Sequence, residues 1–568
     1  MTKNDPTAKA GAGPRPGRAA RAGFMLIALV LIVMAYFPAR RMPFFYDDRV
    51  TIVQNQMIQS RFISDVISEN PFRALPNLTF ALQLRLHANK TLPPGGYALA
   101  AVTPYIQRKF SGEQGRYLAF YNDPKTMESI PVSIDAGRGV FFPLPHAAPF
   151  HRFNLLLHFL NAALLYLVLK RLFPERDALA AIAGLAFLLH PLATEPVNYV
   201  TARFGLMAMS FSLAAVLFHL HADVSPRADI AALICFILAL FCKETAAALP
   251  LLVFILDTAR GRPRFAVLAT LALSAVYAVL RVYSWPVIPE GSGGAALAAW
   301  RYILVEQRVI MLYLADIAIP IHLNFDPDVT PRMVPDLICT LLNTALLAAA
   351  ALIIIKAALA GRGRSAEGPP PMPAKQIKAR SKSKKPAAKT AAPAPPAASS
   401  PPWSWPAAVI LMAWTAMAPA STLIPLSDLA KEERAYPLLI IVLPALVAAA
   451  GSAIFPRPRT EGTDERSVPP RSMTWACLAV ILFGLTALTV ERNREWKNEL
   501  TLTRAMVEDS PNKARPLYQY ATALKWSGRM ADALFWYRQS LRLDPGNPDA
   551  RTNIEVLRRE LSSGGKGP

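Results

Sequence analysis

HRFNLLLHFLNAALLYLVLK, residues 151–170, reads as a helix long enough to cross a membrane that nonetheless carries polar groups at regular intervals. His151, Asn154, His158 and Asn161 are spaced three, four and three apart, which puts them on one helix face. Most other positions are apolar, and about 20 such residues span the roughly 30 Å of a bilayer's hydrocarbon. Polar groups facing lipid are costly, so the stripe faces the interior of a bundle. Two readings fit that placement: hydrogen bonds between helices, or the lining of a watery cavity.

Apolar windows of similar length recur along the chain. Hydrophobic residues make up 53% of the 568 residues and charged residues 18%, against about a quarter charged in ordinary soluble proteins. The pattern predicts a mostly α fold, a polytopic membrane helical bundle of about eleven spans. The first covers residues 22–37, then come 152–172, 178–193, 205–221, 228–242, 245–258, 264–283, 333–356, 405–421, 436–455 and 474–490. No small-residue cleavage site follows the first run, which leads into Pro38, Arg40 and Arg41 and so reads as a retained signal anchor. The segment from Trp300 to Asp328 is helical in pattern but holds Arg301, Glu306, Arg308 and Asp316, and is expected to lie along the outer membrane face.

A net charge of +22 is compatible with nucleic-acid binding only until the charges are placed. They sit in short connections beside apolar runs, where they set orientation. With the N-terminus cytoplasmic, Lys170, Arg171 and Arg176 fall inside, as do Arg260, Arg262 and Arg264, and Arg457, Arg459 and Arg466. The expected organisation is a basic cytoplasmic tail (1–21), a membrane domain (22–358) with a large outer loop (40–150), and a disordered basic Pro/Ala/Lys cytoplasmic linker (359–402). The remaining transmembrane helices (403–490) and an outer C-terminal unit (491–568) follow. Four cysteines, all in or at the ends of apolar segments and in no CxxC pair, read as buried apolar residues.

Ionisable groups cluster at the boundary this topology assigns to the outside. Tyr46-Asp47-Asp48 follows the first span, and paired carboxylates there suit removal of a proton from an acceptor hydroxyl or capture of a divalent cation. His190-Pro191 through Glu195 to Arg203 is broken by Pro191 and Pro196, which predicts a re-entrant or short-helix connection. Lys243-Glu244 and Glu432-Glu433-Arg434-Ala-Tyr436 complete the set. Solvated loop charges and an internal ion pair are the plainer readings of the individual motifs. Their common side favours an anionic lipid head group presented to a base.

After residue 491 the pattern becomes amphipathic, with a 34-residue period: Ser510-Pro511 recurs as Asp544-Pro545, with Gly528, Ala533 and Tyr537 between. That spacing of small, aromatic and terminating residues is the tetratricopeptide (TPR) pattern. One repeat with flanking helices is too short to stand free, so it should lean on the membrane domain or a partner. Arg515, Lys525, Arg529 and Arg538 are expected on an exposed basic face.

Taken in order, these residues resemble the transmembrane, TPR-containing protein O-mannosyltransferases of the GT-C glycosyltransferase superfamily. The resemblance runs through Tyr46-Asp47-Asp48 with Ile52 and Asn55, Pro76-Asn77-Leu78-Thr79, the His151–Asn161 stripe, and His190-Pro191 with Thr194-Glu195 and Val197. It continues through Arg203, Lys243-Glu244-Thr245 and Arg434-x-Tyr436 to the TPR segment. Glu433 stands where the family usually has His. The resemblance implies an inverting GT-C enzyme of bacterial type, in an inner membrane with its C-terminal TPR unit periplasmic. It would move mannose or a similar hexose from a polyprenyl-phosphate donor to a hydroxyl acceptor at the periplasmic or lumenal face, the acceptor being a protein or peptide reached through the TPR unit. On that reading Asp47 or Asp48 is the base, and Lys243, Arg203 and Arg434 hold the lipid phosphate. His151, His158, His190, Glu195, Glu244 and Tyr436 line or orient the cavity. Asp47 and Asp48 are the ligands for Mg2+ or Mn2+ if a metal is used. The alternatives are a non-catalytic TPR membrane scaffold, or transfer to a glycan or lipid acceptor.

Overall fold

The structure is a computed structural model that describes residues 26, 29–38, 42–53, 55–60, 62–87, 97–98, 116–122, 129–135, 140–143, 147–222, 225, 227–261, 264–284, 299–366, 404–421, 428–454 and 471–562. The expected N-terminal tail, most of the expected linker and the basic cluster at 457–466 lie outside the described residues.

The order is helical, with one insertion. Helix α1 covers residues 29–36. Short helical turns and α2 (Ala74–His87) precede a small antiparallel sheet in the outer loop. Its strands are β1 (Tyr97–Ala98), β2 (Arg116–Asn122), β3 (Ser129–Asp135) and β4 (Val140–Pro143), in the order β1-β4-β3-β2. The sequence reading anticipated no strands there. The bundle follows as α3 (Ala148–Leu172), α4 (Asp177–Leu188), the short α5 (Thr194–Asn198), α6 (Arg203–His221), α7 (Arg227–Leu240), α8 (Leu249–Ala259) and α9 (Leu271–Ser284). Next come α10 (Ala299–Ala318), α11 (Met333–Ala366), α12 (Ser404–Met417), α13 (Tyr436–Ile454) and α14 (Arg471–Glu495). The chain closes with α15 (Glu499–Asp509), α16 (Ala514–Trp526), α17 (Met530–Leu543) and α18 (Pro548–Ser562).

Among the described residues, five helices are long and apolar enough to cross a membrane: Ala148–Leu172, Val200–His221, Val267–Ser284, Met333–Lys356 and Glu432–Gly451. A sixth arises if Pro174–Leu188 and Pro191–Asn198, bent by 54°, are one broken span. The expected spans over 228–242, 245–258 and 405–421 come out as helices of 14, 11 and 14 residues. At 1.5 Å per residue these cover only about 16–21 Å: the first two are separated by a break at Lys243-Glu244 and a further turn before Leu249, and the third ends at Met417. The described helices thus support a membrane bundle and give fewer full spans than eleven. Helix α11 also runs to Ala366, past the expected start of the linker at 359.

The polar stripe of α3 decides how the bundle is assembled. His151, Asn154, His158 and Asn161 are all buried. His158 Nε2 donates to the carbonyl of Leu188 (3.2 Å), and its Nδ1 lies 2.8 Å from the Tyr436 hydroxyl. Asn161 Nδ2 donates to Leu206 O (3.1 Å) and the Tyr436 hydroxyl (3.2 Å), and Asn154 Nδ2 to Tyr199 O and Val200 O (both 3.2 Å). The Leu188 carbonyl ends α4, those of Tyr199 and Val200 lie in the break and also accept from the N–H of Ala202 and Arg203, and that of Leu206 lies in the first turn of α6. The stripe therefore satisfies the backbone at the Leu188–Arg203 break, and the hydrogen-bonding reading of it holds. Around it one apolar cluster joins α1, α3, α4, α6, α10 and α13, with Leu157, Phe187, Leu206, Tyr313 and Leu438 at its heart. Helix α10 buries Tyr302, Val305, Val309, Tyr313 and Ile317 on one face, so it is packed into the assembly on that side.

The four C-terminal helices pack pairwise in sequence around Ala521, Leu524, Ala533, Tyr537, Ile554 and Leu557. They are docked on the loops beside the bundle. Arg49 pairs with Glu499 at 2.6 Å, Lys513 Nζ with Asp326 at 2.6 Å, and Asn324 Nδ2 donates to Ser510 Oγ at 2.7 Å. Phe45, Tyr199 and Phe325 surround the fully buried Trp496 at the junction. The expected basic face is smaller than predicted, because Arg515 is bound to Asp326 and Asp428 and Lys525 to Asn553.

Candidate functional site

The segment that follows α1 turns sharply at Tyr46, whose φ of 33° is the left-handed conformation a non-glycine residue seldom adopts. The ring of Tyr46 stacks on Phe325, centroids 5.4 Å apart, which holds the turn in place. The two carboxylates of the motif therefore part. Asp48 is fully buried and accepts from the backbone N–H of Phe45 (3.1 Å), Val200 (3.2 Å) and Thr201 (2.8 Å). Burial pushes its carboxyl up to about 7, against the lowering effect of those N–H groups. Asp47 turns the other way: its side chain is 63% exposed, and its backbone N–H donates to the Tyr199 hydroxyl at 3.2 Å.

Asp47 lines one end of a cavity of about 2020 Å3. The same end carries Arg73, Lys243, Arg281, Lys431 and Arg434, with Glu244 and Glu433. Five cations meet three carboxylates, so this end is net positive. Several of the contacts are long, leaving donor capacity for a guest: Lys243 Nζ–Glu433 is 3.5 Å, Arg73–Glu244 3.5 Å, and Lys431 Nζ–Asp47 3.8 Å. Glu244 feels burial raise its pKa, but Arg73 and Lys243 outweigh this and hold it at about 2. Lys431, also opposed by burial, is kept protonated by Asp428 and Glu433.

Away from this end the walls become apolar apart from Arg176, which lines the cavity with Leu172 and Phe173. Leu165, Leu169, Val216, Leu252, Ile410 and Ile441 contribute from α3, α6, α8, α12 and α13. On α13 the lining runs from Tyr436 to Ala449, about 20 Å along the helix axis. The cavity is thus amphipathic along its length: a net-positive head of five cations and three carboxylates, and a mainly apolar body roughly two-thirds of a bilayer core deep.

Of the residues singled out in the sequence, Asp47, Lys243, Glu244, Arg434 and Tyr436 come together on this cavity. Asp48 does not reach it. Arg203 is fully buried elsewhere, donating to Asn154 Oδ1 (2.9 Å), Thr79 Oγ1 (3.0 Å) and Phe150 O (3.1 Å), with its guanidinium over Phe80 at 4.3 Å. Three of its N–H groups are taken by these acceptors and Phe80 covers one face of the guanidinium, so it is a hub joining α2, α3 and α6 and lies off the cavity. His151 binds Met42 O and Pro43 O, and His190 binds Ile317 O while accepting from Leu192 N–H. His158 and these two pin interrupted backbone and do not line the cavity. Glu195 is fully buried with both oxygens unbonded and likewise lies off it. Asn55 and Asn77 converge on Glu69 at 3.0 and 2.8 Å, so these motif positions brace the outer loop.

Arg73, Lys431 and Glu433 join the site without having been assigned roles from sequence. Glu433 belongs to the Glu432–Tyr436 motif already singled out and Lys431 directly precedes it, and their charge was the available signal; nothing around Arg73 distinguishes it from a solvated arginine. The donor set does not fit a resident Mg2+ or Mn2+: Asp48 has its lone pairs filled by N–H groups, and among the described residues no three His, Cys, Asp or Glu side chains gather.

No family model matches the chain, and no solved structure matches it. Short stretches are similar to two curated proteins. The Protein O-mannosyl-transferase TMTC1 of Mus musculus is 32% identical over 90 residues, 16% of this chain and 9% of that protein. The Protein O-mannosyl-transferase TMTC1 of Homo sapiens is 36% identical over 85 residues, 15% of this chain and 9% of that protein. The matched stretch thus spans under a tenth of the length of these relatives.

Proposed function

We propose that the chain is an integral-membrane, inverting glycosyltransferase of GT-C type, which moves a hexose such as mannose from a polyprenyl-phosphate donor to a hydroxyl, on a protein, at the periplasmic or lumenal face. The observation that carries this reading is the amphipathic cavity: its net-positive head suits a phosphate, its apolar body suits an isoprenoid chain, and Asp47, the most exposed of the carboxylates there, lines the head. The partial similarity to the two mannosyltransferases supports the same class.

In this reading Asp47 accepts the acceptor's proton as its oxygen attacks the anomeric carbon, and the C–O bond to the lipid phosphate breaks from the opposite side. Lys243, Arg434, Lys431 and Arg73 stabilise the charge that grows on the departing phosphate. Asp48 holds the Asp47 turn against the Val200–Thr201 backbone and takes no proton from the acceptor. The C-terminal helices are a TPR-type repeat that braces this loop and presents the acceptor. The orientation is that of an eleven-span topology with a cytoplasmic N-terminus. A non-catalytic scaffold has no use for a lipid-sized cavity ending in a charged head.

The test is to incubate the purified protein with polyprenyl-phosphate mannose and a threonine-containing peptide, and to measure glycopeptide and released lipid phosphate together. Stoichiometric appearance of both is expected. Absence of both across a panel of polyprenyl-phosphate sugars would falsify the reading.

A further inference from the structure

The cations of the cavity head are not held by the bundle alone. Lys431 Nζ lies 3.8 Å from Asp47 and 2.8 Å from Asp428 Oδ2. The other oxygen of the same carboxylate, Oδ1, is taken by Arg515 of helix α16. Arg515 in turn donates through Nε to Asp326 Oδ2 at 2.7 Å, and Lys513 binds Asp326 Oδ1 at 2.6 Å. From Asp47 to Lys513 the charges alternate in sign without a gap. The backbone carbonyl of Asp428 also accepts from Arg434 Nη1 at 2.7 Å, so one residue holds two of the cavity's cations.

A lysine is a flexible four-carbon stem with a point charge at its tip, and where that charge sits depends on what grips it. The backbone of Lys431 is fixed by Tyr313, whose hydroxyl accepts from its N–H (2.9 Å) and donates to its carbonyl (2.8 Å). The ammonium lies 5.9 Å from the centroid of the Tyr199 ring, and its one short contact is the Asp428 carboxylate at 2.8 Å. Asp428 can present Oδ2 to Lys431 only while its plane is held, and the guanidinium on Oδ1 holds it. We propose that Arg515, carried by the C-terminal helical unit, is a positioning residue for the candidate active site, acting through Asp428 to hold Lys431 beside Asp47. The C-terminal unit then belongs to the machinery of the site as well as to its docking surface. The kinetic part of this claim rests on the function proposed above; the placement of Lys431 does not.

The test compares the full-length wild type with Arg515→Met, Arg515→Lys and Glu499→Gln. The last weakens the same interface at its Arg49 ion pair without touching Asp428. One readout is kcat for mannose transfer to the threonine peptide; the other is the rate at which Lys431 is acetylated by an amine-reactive reagent, followed by mass spectrometry. Arg515→Met should lower kcat about tenfold or more, as misplacement of a catalytic group by an ångström does, and should speed Lys431 acetylation. Arg515→Lys should recover most of both, and Glu499→Gln should leave both near wild type. Lys431 labelling in Arg515→Met equal to wild type would overturn the proposal, as would a loss of kcat in Glu499→Gln matching that in Arg515→Met. A wild type that transfers no sugar counts against the proposed function alone, because the labelling rates still decide the role of Arg515.

Discussion

At Tyr46 the backbone is held in a left-handed conformation that costs about 1–3 kcal/mol for an ordinary residue, and the stacking on Phe325 and the buried Asp48 carboxylate over-determine it. The arrangement gives the two aspartates separate tasks. Asp47→Asn should cut turnover about 10²–10⁴-fold, the usual worth of a general base, with the protein still folded; undiminished turnover in this variant would remove the assignment. Asp48 is tested through pH. A carboxyl raised to about 7 in the folded protein binds its proton more tightly than the unfolded chain does at about 3.9. Its contribution is therefore complete below about pH 4 and is lost as the pH rises through 7. Thermal unfolding in detergent should show a midpoint that falls across that window and a flatter profile in Asp48→Asn. Arg203 offers a contrast with Lys243. Arg203→Met leaves two buried acceptors, Asn154 Oδ1 and Phe150 O, without their donor, at about 1–3 kcal/mol each, so the yield of folded protein should drop; Lys243→Met should spare folding and raise the donor KM.

The helices show their effect through breaks. Pro191 and Pro196 interrupt the chain between α4 and α6, and the carbonyls of Leu188, Tyr199 and Val200 at this break are met by His158 and Asn154 on α3. A second interruption at Lys243-Glu244 places that pair at the cavity head, where a continuous helix would have kept it in an apolar wall. The lower cavity is set by small residues, among them Ala445 on α13. Ala445→Trp should narrow it and raise the KM for a long-chain polyprenyl-phosphate sugar by about tenfold, the loss of roughly 1.4 kcal/mol of binding, while a short-chain water-soluble analogue binds as before. Equal effects on both donors would mean that the isoprenoid chain lies elsewhere. The C-terminal helices are as much part of the structure as the bundle: removal of 505–568 strips Met506, Ser510, Lys513 and Arg515 from their partners on the Asp47, Asp326 and Asp428 segments. The truncated protein should therefore lose transfer to peptide and small acceptors alike, with reduced thermal stability, where a separable module would spare the small acceptor.

For the whole molecule, the basic connections imply one orientation. On the proposed topology a reporter fused after Pro568 should be periplasmic or lumenal and one inserted near Lys385 cytoplasmic; a cytoplasmic signal at the C-terminus would require an even number of spans. The membrane class was readable from composition and from the 20-residue apolar windows, because hydropathy is a local sum that needs no neighbours. The inward-facing stripe His151–Asn161 was readable for the same reason, since helical period alone assigns its face. The local pattern could not tell that adjacent Asp47 and Asp48 point opposite ways, which depends on Phe325 and the Val200–Thr201 backbone more than 150 positions away. Nor could it tell that Arg203 is consumed by Asn154, Thr79 and Phe150 while Arg73 and Lys431 face the cavity. An arginine beside an apolar run reads alike in either case. What a cation binds is settled by which carboxylate or carbonyl packing brings within 3 Å of it, and that is a property of the tertiary structure alone.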